Sequence, residues 1–410
     1  MFGKKSRALV ITAIAVASIF GSGAEASLRP QTPPEFTDVS VSLFHTCALR
    51  SDGKMFCWGD DVYGQLGDND NSAKSFPVPV GEPIASKTVV AMDTGGYSTC
   101  AVTSEGELYC WGANGAYGNL GIGTTDPVSG PTLVNGGAPA GKPVVDASPE
   151  QFYGCALTDD ALVACWGYNG HGQVGDGTTT NRLSPVLVSG GDVLGQDLVA
   201  VHVGDRSSCA ITQTRQLMCW GHDVRSNDST VFKKVPRLIV SGYLRSKIVS
   251  SVAGYSHLCA LTDTMRLACW GSNTYGELGN GTTTPLVKPT VVNSGALRDK
   301  NVIQATAGEL GHTCVIRRVQ ANDYGKVVCW GVNSSGQLGD GTAVNALSPK
   351  LINSGALRQK NVRVISAGMY NTCAITVSNQ ILCWGDNAYG QIGDGTTTDR
   401  LSARAVTWVE

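Results

Sequence analysis

The stretch "HTCALRSDGKMFCWG", residues 45–59, holds two cysteines with nine residues between them around a Ser-Asp-Gly turn, and the second runs directly into Trp58-Gly59. A short apolar strand, a tight turn and a returning strand together make a hairpin signal. Facing residues of a hairpin have nearly constant index sums, so Cys47 and Cys57 lie opposite each other, or within one position, beside Asp52-Gly53. That is within reach of a disulfide. The arrangement returns as Cys100 with Cys110, Cys155 with Cys165, Cys209 with Cys219, Cys259 with Cys269, Cys314 with Cys329, and Cys373 with Cys383, which uses all 14 cysteines.

Successive first cysteines are 53, 55, 54, 50, 55 and 59 residues apart, and every second cysteine continues as Cys-Trp-Gly. A fixed period near 54 residues means one repeated supersecondary unit, not several unrelated domains. The fifth unit shows the internal order best: an alternating Val-rich stretch to Ala253-Gly254, a strand through Cys259, a turn, a strand from Leu267 to Trp270, the Gly-rich loop "NTYGELGNGTTT", and a last strand at Pro289 to Val292. With 51 glycines, 16% charged residues and no helical segment between units, the composition favours strands and turns. The expected fold is all-β: a closed seven-bladed β-propeller with four short strands per blade. Its repeats run approximately 38–87, 88–142, 143–197, 198–246, 247–300, 301–360 and 361–410. An open solenoid is the rival, but it needs distinct polar caps, and the end units resemble the interior ones.

The amino end reads Lys4, Lys5, Arg7, then "ALVITAIAVASIF", then Ala24-Glu25-Ala26, the order of a secretory signal peptide. Residues 1–26 are read as that signal and 27–37 as a short leader, giving a secreted or periplasmic protein. Removing the signal changes the formal net charge from −2 to −4, which offers no attraction for nucleic acid or an anionic membrane. Membrane insertion is not expected, and the chain is read as a monomer. An oxidising compartment and strictly local cysteine pairs favour disulfides over zinc, whose usual C-x2-C spacing is absent. Alternation puts Trp58 and its counterparts on the strand face opposite the cysteines, as packing residues between blades. Trp408, outside the motif, is expected to pack in the closing strand.

The run "AGxxHTCAL…GKVxCWGxNxxGQLGDGT…P", best seen at Ala307 to Leu338 and Ala367 to Asp394, resembles the regulator of chromosome condensation repeat in an exported, cysteine-bearing bacterial form. The resemblance covers residues 38–410 and implies a propeller whose founder is a nuclear exchange factor that also binds chromatin. The signal peptide, acidic charge and lack of a basic tail argue against carrying that activity over. In habitat the chain is also similar to the secreted propeller-type β-lactamase inhibitors of soil bacteria, which plug an enzyme with aromatic side chains on one rim. The matching position precedes each first cysteine and holds Phe44, Tyr97, Phe152, Arg206, Tyr255, Leu310 and Tyr370. Such a composition suits a binding hot spot, although the same residues could simply shield the blade ends.

No convergent acid, base or nucleophile set is apparent, so no catalytic residue and no cofactor is expected. His45, His257 and His312 precede their cysteines by two residues, and a hydrogen bond within the blade is their expected role. The loops at Asp176, Asp340, Asp394, Asn280 and Asp68–Asn71 offer oxygens to calcium, but one carboxylate per loop is poor coordination. Asx-turn chemistry accounts for the same residues, so no metal is expected. Asn227, Asn280 and Asn333 fit the glycosylation motif. The fourth unit replaces the shared loop by "HDVRSNDSTVFKKVP", and the sixth lengthens its hairpin, presenting Arg317, Arg318 and Tyr324 as a second candidate contact.

Together these readings describe an exported, non-catalytic binding propeller that engages a protein or envelope component through one rim. A polysaccharide-active hydrolase or lyase, which needs several acids converging at one channel opening, and a structural surface protein are the alternatives. Mass mapping without reduction should find every cysteine pair inside its own repeat, and reductant should lower the thermal midpoint. One cross-repeat bridge would overturn the pairing.

Overall fold

The computed structural model describes residues 35–409 apart from 139–140, 223–231, 241–243, 245–247, 255–256, 320 and 322, so the stretch read as a signal peptide lies outside the described residues. Within them, 28 strands form seven consecutive four-stranded antiparallel meanders. Blade 1 is Phe36–Val41, His45–Arg50, Met55–Gly59 and Lys74–Pro79, so its first strand begins inside the stretch read as leader. Blades 2 to 7 follow at 89–133, 144–187, 198–238, 248–291, 302–351 and 362–405. Each blade is continuous in sequence, with strand order equal to chain order, and a bridge from Gly325 to Val362 links blades 6 and 7.

The first strands touch one another around the ring and surround a central channel. Second and third strands are buried on both faces, as Ser98–Thr103 and Leu108–Gly112 show, because a neighbouring blade covers each side. Cys47 pairs directly opposite Cys57, and the same register recurs in all seven blades. All seven predicted disulfides are present, with Cα–Cα separations of 4.0–4.2 Å. The core is divided into blade-to-blade layers: Cys100, Val102 and Cys110 of blade 2 pack against Ala156 and Trp166 of blade 3. The disulfide face of one blade thus meets the tryptophan face of the next. All seven motif tryptophans are at most 1% exposed, and each contributes on the order of 4–6 kcal/mol of apolar transfer energy.

Buried indoles need an acceptor, and for six of the seven motif tryptophans the preceding blade supplies it. Trp111 Nε1 donates to the Gln65 carbonyl at 3.0 Å, and Thr99 Oγ1 donates to the same oxygen at 2.7 Å. Trp220 and Ser208 share Gln173 O, Trp330 and Thr313 share Glu277 O, and Trp384 and Thr372 share Gln337 O. The ring closes by the same bond: Trp58 and Thr46 of blade 1 both donate to Gln391 O of blade 7. No strand is exchanged, and the open solenoid is set aside. Trp408 lies beyond the last strand, Arg400–Ala405, where it stacks on Phe36 at 4.6 Å and meets Phe56 and Trp58 edge-on, sealing the seam from outside a sheet.

The glycine two residues after each accepting carbonyl has a left-handed backbone and lies flat on the next indole. At Gly393, φ is +73° and an added Cβ would sit 2.7 Å from Trp58 Nε1. Gly393→Ala should therefore cost roughly 1–3 kcal/mol through overpacking at the closing seam. A lowered melting temperature with all disulfides intact is the expected readout, and an unchanged melt would refute the hooked-loop account.

Candidate functional site

Two connections of every blade emerge at the same end of the ring: the short link between first and second strands, and the long loop after Trp-Gly. The hairpin turn lies at the opposite end. Phe44, Tyr97 and Phe152 occupy the short links, as the sequence suggests, and the long loops add Tyr63, Tyr117 and Tyr389. Their rings meet across blade boundaries. Phe44 lies 4.8 Å from Tyr97 and 5.1 Å from Tyr389, and Tyr97 lies 5.4 Å from Tyr63, forming one cluster over blades 7, 1 and 2. Tyr117 meets Phe152 at 6.0 Å and Tyr168 at 4.8 Å, and the series continues through His171 to Phe232. Tyr63 and Tyr389 are more than 40% exposed, so these rings are displayed as well as packed.

The other rim candidates fare differently. Arg206 forms an ion pair with Asp205, so its charge is largely neutralised locally. Leu310 and Tyr370 are half-buried and join no aromatic contact among the described residues. Tyr255 lies outside the described residues. The loop aromatics were missed by the sequence reading, although the residue before each loop's glycine repeats legibly as Tyr63, Tyr117, His171, Tyr275 and Tyr389.

Inside the aromatic rim the channel is acidic, which no sequence motif announces. Asp38, Asp93 and Asp146 project from the first strands of blades 1, 2 and 3. Ser40 Oγ donates to Asp93 at 2.6 Å, and Ser148 Oγ does so at 3.3 Å. Burial pushes Asp38 and Asp146 up to about 7 and Asp93 up to about 6, and their mutual repulsion adds to the rise at Asp38 and Asp146. At the rim-side mouth stand Glu150, Asp205 and Glu309. Burial raises all three, with Glu309 reaching about 7, and repulsion from the others adds to it at Glu150 and Glu309.

The three motif histidines bond between blades at Nε2, and His45 also makes the expected bond within its own blade, between Nδ1 and Ser42 Oγ at 2.8 Å. His45 Nε2 meets Thr99 Oγ1 at 2.8 Å, and His257 and His312 meet Thr313 and Thr372 at 3.0 Å. Each threonine hydroxyl is already committed as a donor to the shared carbonyl, so the imidazole must supply the N–H. Burial holds His45 at about 3, His257 at about 4 and His312 at about 3, so all three are neutral.

Asp176, Asp340 and Asp394 close Asx turns onto Thr178, Thr342 and Thr396. Asn333 is fully buried, which removes it as a glycosylation acceptor, while Asn227 lies outside the described residues. Arg317 and Arg318 reach back to Ala296 O and to Met265 Sδ of blade 5, so these two side chains are engaged by the neighbouring blade. A cavity of about 310 Å³ between blades 2 and 3, walled by Leu108, Val134, Val144 and Trp166, opens at the hairpin end, away from the rim.

Linkage gives these groups a pH signature. Carboxyls whose folded pKa is raised bind more protons in the folded state, so stability grows as pH falls through about 7. Below the ordinary histidine value of 6.5, the unfolded chain takes up protons that buried His45, His257 and His312 refuse, which opposes the gain. The melting temperature should rise from about pH 8 to about pH 6.5 and then level off. Asp38→Asn with Asp146→Asn should flatten the rise, and a rise that survives both changes would assign it elsewhere.

The model of the regulator of chromosome condensation (RCC1) repeat matches residues 52–102, 105–148, 162–211, 266–316 and 324–375. A second model of the same repeat matches 36–65, 89–118, 248–277 and 362–391. The chain is 27% identical over 372 residues to the ultraviolet-B receptor UVR8 of Arabidopsis thaliana, covering 90% of this chain and 81% of that protein. It is 28% identical over 358 residues to the human E3 ubiquitin-protein ligase HERC2, covering 86% of this chain but only 7% of that ligase. Among solved structures, yeast Prp20p superposes with a TM-score of 0.70 at 20% identity, over 82% of this chain and 80% of that one. Human WBSCR16 gives 0.69 at 18%, over 83% and 86%. Matched by repeat models from the first blade to the seventh and folded as one ring of hooked blades, the chain belongs to the regulator of chromosome condensation (RCC1) repeat family.

Proposed function

We propose that this chain is an exported, non-catalytic propeller that binds a protein or cell-envelope component through the rim carrying Phe44, Tyr63, Tyr97, Tyr117, Phe152 and Tyr389. The observation that carries this reading is two clusters of rings, one over blades 7, 1 and 2 and one over blades 2 and 3, in which Tyr63, Phe152 and Tyr389 remain exposed. Aromatic side chains held rigidly by one another lose little entropy on binding and bury large areas, the properties of interface anchors. The acids at the channel mouth favour a partner that places lysine or arginine beside its apolar anchor. Seven disulfides suit an oxidising compartment, consistent with export. No helix among the described residues is long and apolar enough to cross a membrane. Protein binding also supports the reading by analogy, since the structural relative Prp20p is described with binding properties to Gsp1p and histones. Inhibition of a cell-wall enzyme is one concrete form of this role.

Convergence of Glu150, Asp205 and Glu309 at one opening favours the polysaccharide-active alternative as the second reading. Partner capture from culture supernatant and envelope extract, with the mature chain as bait, separates the two. Tyr63→Ala with Tyr97→Ala should weaken capture at least tenfold without lowering the melting temperature, the scale expected of hot-spot truncation. Tyr370→Ala, outside the ring contacts, should have little effect. Glycan turnover that survives the tyrosine changes but is lost in Glu150→Gln would favour the enzyme.

A further inference from the structure

Blade 1 departs from the other loops at one buried position. In blades 3, 5, 6 and 7 the loop after Trp-Gly is gathered around an asparagine: Asn169, Asn273, Asn333 and Asn387 accept a main-chain N–H at Oδ1 from the residue five ahead. Each turns its Nδ2 into a ring of oxygens. Around Asn169 these are Asp176 Oδ1 and Thr178 Oγ1 at 3.3 Å and Thr180 O at 3.0 Å, and around Asn387 they are Asp394 Oδ1, Thr396 Oγ1 and Thr398 O at 3.4, 3.2 and 3.1 Å.

Blade 1 has Asp61 at this point. Leu66 N–H still donates to its Oδ1 at 2.8 Å, so Oδ2 takes the place of the amide nitrogen. That oxygen is buried without a hydrogen-bond partner, in a side chain 0% exposed. An acceptor therefore faces acceptors. The surrounding loop has also gained charge, because the positions of Asp394 and Thr396 in blade 7 are Asp68 and Asp70 here. One oxygen from each of Asp61, Asp68 and Asp70 lies within 4.8 Å of the others, the span across a Ca²⁺ ion with ligands at roughly 2.4 Å. Lys74 does not fill the centre. Its ammonium pairs with Asp70 and stands 3.7 Å from Asp68, in the place where Arg182 and Arg400 pair with Asp176 and Asp394 around an intact asparagine.

We infer that the blade 1 loop is a Ca²⁺ site, with Asp61, Asp68 and Asp70 as ligands and the metal replacing the amide that ties this loop in other blades. The expectation of one carboxylate per loop fails here because three converge. Bound calcium would order the same loop that presents Tyr63.

The test uses the full mature chain stripped with EDTA, at about pH 8 because burial and the neighbouring Asp68 and Asp70 push Asp61 upward. Calcium chloride should give a saturable calorimetric signal and raise the melting temperature by several degrees once it exceeds the dissociation constant about a hundredfold. Asp61→Asn reinstates the amide, so this variant should melt above the wild type in EDTA and show no calcium response. An absent response in the wild type, or an equal response in Asp61→Asn, overturns the site. Wild-type protein that gains stability from acid but none from calcium would also overturn it, since a proton shared with Asp68 would then be doing the bridging.

Discussion

The ring depends on a carbonyl that six of its loops turn toward the next blade. Gln65, Gln173, Glu277, Gln337 and Gln391 each turn a main-chain oxygen toward the next blade, where it receives an indole N–H and a hydroxyl. A buried tryptophan is worth its apolar area only if its N–H is satisfied, because an unpaired buried donor costs about 1–3 kcal/mol. The Gly-Gln-Leu-Gly loop meets both needs: its carbonyl takes the proton, and its second glycine lets the backbone lie against the ring. The same bond repeated at the seam closes the circle without exchanging a strand.

The disulfides act on a different scale. Each clamps one hairpin across directly opposed residues, so each stabilises a blade and none joins two blades. Cohesion between blades comes from the tryptophan hooks and from the histidine-to-threonine bonds that extend them. Blade 4 departs from this pattern in sequence. It lacks the shared loop motif, and Trp270 of blade 5 is the one motif indole without a hydrogen-bond partner among the described residues.

The displayed aromatic side chains collect at the end where the hooks are made. The loop that grips the next blade also carries the exposed tyrosine one residue before its first glycine, so the geometry that closes the ring sets the spacing of the displayed rings. The channel acids sit just inside that rim on first strands that touch around the axis, where burial and mutual repulsion keep them protonated to higher pH than usual. An arc of aromatic rings beside an acidic mouth is a property of the assembled wheel, since no single repeat holds more than part of it.

Disulfide pairing was legible from sequence because it is set by contacts within about fifteen residues, and blade number, strand order and the burial of the tryptophans were legible because the same unit is repeated seven times. Phe44, Tyr97 and Phe152 were found by their place before a cysteine, while their neighbours Tyr63, Tyr117 and Tyr389 come from the preceding blade and are brought near only by closure. The histidines were assigned to bonds within a blade, which His45 makes to Ser42, but the acceptors of all three Nε2 groups lie 54 to 60 residues away in sequence. Local chain chemistry therefore determined what a blade is. Which side chains meet, which carboxyls share a channel, and which buried oxygen lacks a donor were decided by the tertiary structure, because those distances exist only once separate repeats are pressed face to face.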